Sequence, residues 1–158
     1  MTTSNLAESL GLKQDPEPLF FLAEAGYLWL DLGHDEQART IFEALITLCP
    51  SEPAGYLGLG EAHLATGRHR EAVSAFKRAT QAPCVLVETL AFAYRKLGDA
   101  SLMADNLPAA RRAWGQASEV HPDGVDAELA RNRTRCLEEG LTLSEAEGFL
   151  TSTAAGGR

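Results

Sequence analysis

Two stretches decide how this chain folds: GHDEQARTIFEALITL, running from Gly33 to Leu48, and GRHREAVSAFKRATQA, running from Gly67 to Ala82. They lie 34 residues apart, and the same offset carries Gly26 onto Gly60, Ala38 onto Ala72 and Phe42 onto Phe76. Glycine inside a helix costs about 1 kcal/mol against alanine, so Gly26 and Gly60 mark places where two helices cross too closely for a side chain. Gly33 and Gly67 stand where a helix ends in a left-handed residue. Ala38 and Ala72 let a second helix press on the first, and Phe42 and Phe76 fill the space between neighbours. Pro50 closes the first unit, since it cannot continue a helix.

A period of 34 residues with this spacing is the signature of the tetratricopeptide repeat, a pair of antiparallel helices stacked on its neighbours. The expected fold is all-α, a superhelical array of about three repeats at 19–52, 53–83 and 84–122. The third repeat is irregular. Its first helix is expected from about Val85 to Gly98, so Ala110 follows after 12 residues instead of five, and seven extra residues (DASLMAD) enter the turn as helix or loop. Asp105 and Asn106 suit a cap ahead of Pro108. A further helix over 125–139, ended by Gly140, reads as the cap that a repeat array needs on its last open face. At the ends, residues 1–18 read as a short helix over 4–12 and a linker. Thr142 with Glu145 starts a short final helix to about Leu150, and a disordered tail follows to Arg158.

Composition narrows the functional classes. The 158 residues carry a net charge of −8, distributed as −6 over residues 1–50, +1 over 51–120 and −3 over 121–158. A nucleic-acid binder needs a basic face to displace phosphate counterions, and none is present. Cys49, Cys84 and Cys136 are odd in number with no CxxC spacing, which excludes a disulfide framework and a zinc site as expectations. The N-terminus lacks the basic start and apolar run of a secretion signal. The most apolar window, Leu19 to Leu30, includes Glu24 and is too short to cross a bilayer. A cytoplasmic protein is expected, with no membrane insertion, metal or cofactor. His34 and His69 fall in turns, His63 in a packing position, and His121 joins no metal-binding spacing. GLGEAH, Gly58 to His63, follows a helix start and not a strand, so it is no phosphate loop. No serine or cysteine sits in a nucleophile elbow. The chain reads as a binding protein, not an enzyme.

In such an array the first helix of each pair lines the concave side. Counting back from Gly33, Gly67 and Gly98 assigns Phe20, Ala23, Tyr27, Leu30 and Asp31 to the groove from repeat one. Repeat two contributes Ala54, Leu57, Glu61, Leu64 and Ala65, and repeat three Val85, Glu88, Phe92, Arg95 and Lys96. Most are apolar, and an exposed apolar groove marks a partner site. A carboxylate clamp for acidic C-termini needs Lys, Asn and Arg at set places, where this chain has Ala23, Tyr27, Gly58, Val85 and Thr89.

The run from Leu30 to Ala79, above all YLGLG from Tyr56 to Gly60 followed by ATGRHREAV, resembles the small tetratricopeptide-repeat chaperones of bacterial type III secretion. The class that guards the membrane-inserting translocator proteins is the nearer one, and the needle-subunit chaperones come second. The resemblance covers about a third of the chain closely and implies a cytosolic holder that grips an extended hydrophobic client segment in its concave groove. It also implies weak homodimers formed through N-terminal helices. The extra residues in repeat three and the longer C-terminal region depart from that pattern. A general interaction scaffold in another bacterial assembly fits the repeats as well.

Overall fold

The computed structural model describes residues 17–83 and 85–140. Among them are seven helices and no strand. They are α1 (Glu17–Asp31), α2 (Asp35–Leu48), α3 (Pro53–Ala65), α4 (His69–Ala79), α5 (Val87–Met103), α6 (Leu107–Val120) and α7 (Val125–Glu138). The expected helices over 4–12 and 142–150, and Cys84, lie outside the described residues.

Consecutive helices pack as antiparallel pairs. In addition α1 meets α3, α3 meets α5 and α5 meets α7, so the odd-numbered helices form a continuous inner layer while the even-numbered ones splay on the outside. This is the all-α helical repeat array that the 34-residue period predicts. Each pair turns by the same device. Gly33 takes φ 75° and Gly67 φ 71°. The Gly33 N–H donates to the Leu30 carbonyl at 2.9 Å and the His34 N–H to that of Trp29 at 2.8 Å. Gly67 and Arg68 repeat this with Leu64 and His63 at 3.0 and 2.8 Å. Both closures are Schellman motifs, which satisfy the carbonyls a helix end leaves open.

The third pair closes the same way, and this corrects the sequence reading. The residue in the left-handed region is Asp105, at φ 60°. Its N–H donates to the Leu102 carbonyl at 2.9 Å, and the Asn106 N–H to that of Ser101 at 2.9 Å. Gly98 does not end α5, which runs on to Met103. It is the counterpart of Gly26 and Gly60. A Cβ on Gly26 would lie 2.7 Å from Phe42 Cζ, and one on Gly60 would lie 2.6 Å from Phe76 Cζ, while one on Gly98 would strike the Trp114 indole. Sixteen residues separate glycine from aromatic in all three pairs. No insertion enters the third turn, because Ala110 follows Asp105 by the usual five residues. The extra length lies earlier. Phe76 to Gly98 is four residues longer than Phe42 to Gly60, accommodated by the 80–86 connection and a longer start to α5. Asn106 then caps α6, its Oδ1 accepting from the Ala109 N–H at 3.2 Å, with Pro108 at the second helical position.

Phe42, Phe76 and Trp114 are fully enclosed, together with Ala38, Ala72 and Ala110. They organise three linked cores. Phe42 packs among Leu19, Leu22 and Leu59, Phe76 among Leu57, Ala93 and Ala100, and Trp114 among Tyr94, Leu102, Ala130 and Leu137. Through Ala130 and Leu137, α7 covers the last pair.

Candidate interaction groove

At the first junction the inner layer is open. Tyr27, Leu30 and Asp31 of α1 and Glu61, Leu64 and Ala65 of α3 line one depression of about 350 Å³. These are equivalent positions in successive first helices, because both helices end in the same glycine closure. Tyr27 stands edge-on to Phe42, with ring centroids 5.1 Å apart. Burial, then the charges of Glu61 and Glu24, pushes its phenol up to about 12. The neutral phenol is therefore held as a hydrogen-bond donor over a patch of negative potential.

The other assigned residues divide. Phe20 is 61% exposed, beside Phe21 on the outer part of α1. Ala23 is half-buried against the Phe42 core, as is Leu30. Leu57 is not a groove residue facing solvent. It is 6% exposed and belongs to the Phe76 core, since α5 packs over that side of α3. Glu88 lies exposed in the first turn of α5 and Val85 in the connection before it. They were counted back from Gly98, seven residues short of the true end of the helix at Asp105. The correct count puts Phe92 and Arg95 at the positions in α5 that Phe20 and Ala23 occupy in α1. It brings in Asp99, Leu102 and Met103, which the sequence reading missed.

Arg95 is only 7% exposed, and the reason is a charge network absent from the first junction. Its Nε donates to Asp126 Oδ1 of α7 at 2.6 Å and its Nη1 to Asp99 Oδ2 at 3.2 Å. Asp99 Oδ1 also accepts from Trp114 Nε1 at 3.0 Å and lies 2.6 Å from Arg133 Nε of α7. Two arginines meet two aspartates, so the buried set is neutral overall. In between, Lys96 reaches Glu61 Oε1 at 2.7 Å, and the Arg95 and Lys96 cations lie 5.0 and 5.6 Å from the centre of the Phe92 ring. Arg95 and Lys96 are therefore engaged within the fold. Asp105 next to Asn106, both tolerant of the left-handed region, was the signal that would have given the right register.

On the outer side of α3, His63 is half-buried with its Nδ1 enclosed. Burial first, then the Arg68 charge, holds its imidazole below the ordinary value. Cys49 and Cys136 are half-buried and form no disulfide among the described residues. No group of three metal-ligating side chains occurs among the described residues, and no helix there is long and apolar enough to cross a membrane.

Residues 14–83 match the tetratricopeptide-repeat family model. A search of curated proteins found no match. Among solved structures, the chain is similar to a T3SS complex from Aeromonas hydrophila (TM-score 0.68, 22% identity, 82% of this chain and 85% of that one). It is also similar to the N-terminal domain of stress-induced protein-1 from C. elegans (TM-score 0.64, 15% identity, 73% and 93%) and to MamA (TM-score 0.63, 23% identity, 92% and 81%). These likenesses establish the fold: a tetratricopeptide-repeat array, an architecture whose curved inner surface is used to bind other proteins.

Proposed function

We propose that the chain is a holding chaperone of a bacterial type III secretion system. It works in the cytoplasm, without catalysis, and grips an extended apolar or amphipathic segment of a secreted protein in its concave groove. A translocator is the first client class and a needle subunit the second. The observation that carries this reading is the open depression where Tyr27, Leu30 and Leu64 present apolar surface on the inner layer. Its volume of about 350 Å³ has room for side chains of an extended segment, and burying each large one is worth about 1.5–3 kcal/mol. The likeness to the T3SS complex supports the choice of system. The likenesses to stress-induced protein-1 and MamA fit the wider reading of an interaction scaffold in another assembly.

Co-expression with translocator and needle subunits separates these readings. A held client stays in the soluble fraction with the chain and sediments without it. Ala65→Trp fills the depression from an exposed position, and is expected to weaken client binding at least about tenfold, or 1.4 kcal/mol, with the thermal melt unchanged. If neither client class is held, the secretion reading ends and the wider one remains. Phe21 and Leu28 of α1, with Leu32 just after it, add an exposed apolar stripe, and the same reading assigns it to weak pairing with a second copy. Deleting residues 1–15 is expected to shift the sedimentation equilibrium toward monomer.

A further inference from the structure

We infer that the α1–α3 depression selects a basic-apolar segment: a lysine or arginine of the partner seated between large apolar side chains. This rests on the groove being the binding surface and adds the chemistry of what it binds. The apolar part of the site is Tyr27, Leu30 and Leu64, and its two charged members, Asp31 and Glu61, are both acids. No cation pairs with Asp31 among the described residues. Glu61 gives Oε1 to Lys96, which leaves Oε2 to a ligand. Glu24, one helical turn before Tyr27, adds a third negative charge to the same wall.

Lys96 offsets Glu61 in part, and the excess of negative charge rests on Asp31 and Glu24. Over 17–48, the first pair carries six acids against the single base Arg39, and Arg39 is occupied on the outside by Glu36 and Glu43. Of the cations nearest along the inner layer, Arg95 is engaged elsewhere by Asp99 and Asp126, and Lys96 is held at the edge of the depression by Glu61. A partner carboxylate entering here meets like charge at Asp31 and Glu24, while the Lys96 ammonium is already held by Glu61. A partner cation meets the exposed Asp31 carboxylate and the second oxygen of the half-buried Glu61, and its methylene stem lies along Leu30 and Leu64. The field also steers encounter, since a cleft of one sign concentrates ligands of the other.

The test uses the full chain and three synthetic peptides of one sequence, Gly-Ser-Leu-Ser-Leu-X-Leu-Ser-Leu-Ser-Gly, with Lys, Gln or Glu at X. Binding is read by fluorescence anisotropy at low and at physiological salt. The Lys peptide is expected to bind about tenfold tighter than the Gln peptide at low salt, with the Glu peptide weakest. The gap narrows as salt screens it. Asp31→Asn and Glu61→Gln each reduce the Lys preference, and together they bring the ratio of Lys-peptide to Gln-peptide affinity below about twofold. If Glu61→Gln perturbs the fold, Asp31→Asn alone decides, because its side chain is exposed. Equal binding of all three peptides, weakened throughout by Ala65→Trp, overturns the charge selection and leaves the groove in place. Binding that Ala65→Trp does not touch, or no binding of any of the three, overturns the groove and this inference with it.

Discussion

The first and last junctions of the inner layer use the same helix positions for opposite ends. Tyr27 and Glu61 at the first junction, and Asp99 at the last, occupy one row of the repeat. Between α1 and α3 that row borders an open depression of about 350 Å³. Between α5 and α7 it is filled by Arg95, Asp99, Asp126 and Arg133, with the Trp114 indole as a donor. The outer face of α1 continues the contrast: Phe21, Leu28 and, just after the helix, Leu32 are about 60% exposed, while Trp114 is wholly enclosed. A repeat position has no fixed role; the side chains of the next first helix decide whether it becomes surface or lock. Here α7 brings an arginine and an aspartate, and α3 brings Leu64 and Ala65.

The sharpest way to break this comparison is to remove the lock. Asp99→Ala leaves Arg95 and Arg133 buried beside each other without their shared partner. Removing one member of a buried pair costs about 3–5 kcal/mol, which a urea titration followed by circular dichroism measures. A cost as small as that of an exposed ion pair, about 0–1 kcal/mol, would show that the last junction is no more fixed than the first. Native-state hydrogen exchange sharpens the same contrast. The α5 amides are expected to exchange only by global unfolding, whereas those of α1 open locally at a small part of that free energy.

A smaller effect concerns pH. Because burial holds His63 below its ordinary value, the unfolded chain takes up that proton first as pH falls. Its contribution is neutral above the ordinary histidine value of about 6.5, and the fold loses stability below it, until the folded-state histidine is itself protonated. His63→Gln is expected to flatten the fall in melting temperature between about pH 7 and pH 5. The smallest effect is expected on the outer face of α1. Leu28→Lys should change stability by less than about 0.5 kcal/mol, as exposed substitutions do. A loss of about 2 kcal/mol would mean that the stripe is covered in the isolated protein.

The sequence by itself determined the fold class and the first two repeats. A glycine at a helix crossing, a glycine in the left-handed turn and an aromatic at a fixed distance each have a local steric reason, and such reasons repeat with the chain. Tyr27, Leu30, Asp31, Glu61, Leu64 and Ala65, which the sequence placed at equivalent positions, line one depression, because two Schellman glycines set the same register on both helices. Only the tertiary structure decided the third repeat. Asp105 does there what glycine does elsewhere, so the pattern of turn glycines pointed to Gly98, and the packed helices show that Gly98 instead meets the Trp114 indole. The lock was beyond local reading for a related reason. Arg95, Asp99, Asp126 and Arg133 are ordinary charges on helix surfaces until α7 lies against α5, and their burial and pairing arise from contacts more than 30 residues apart along the chain.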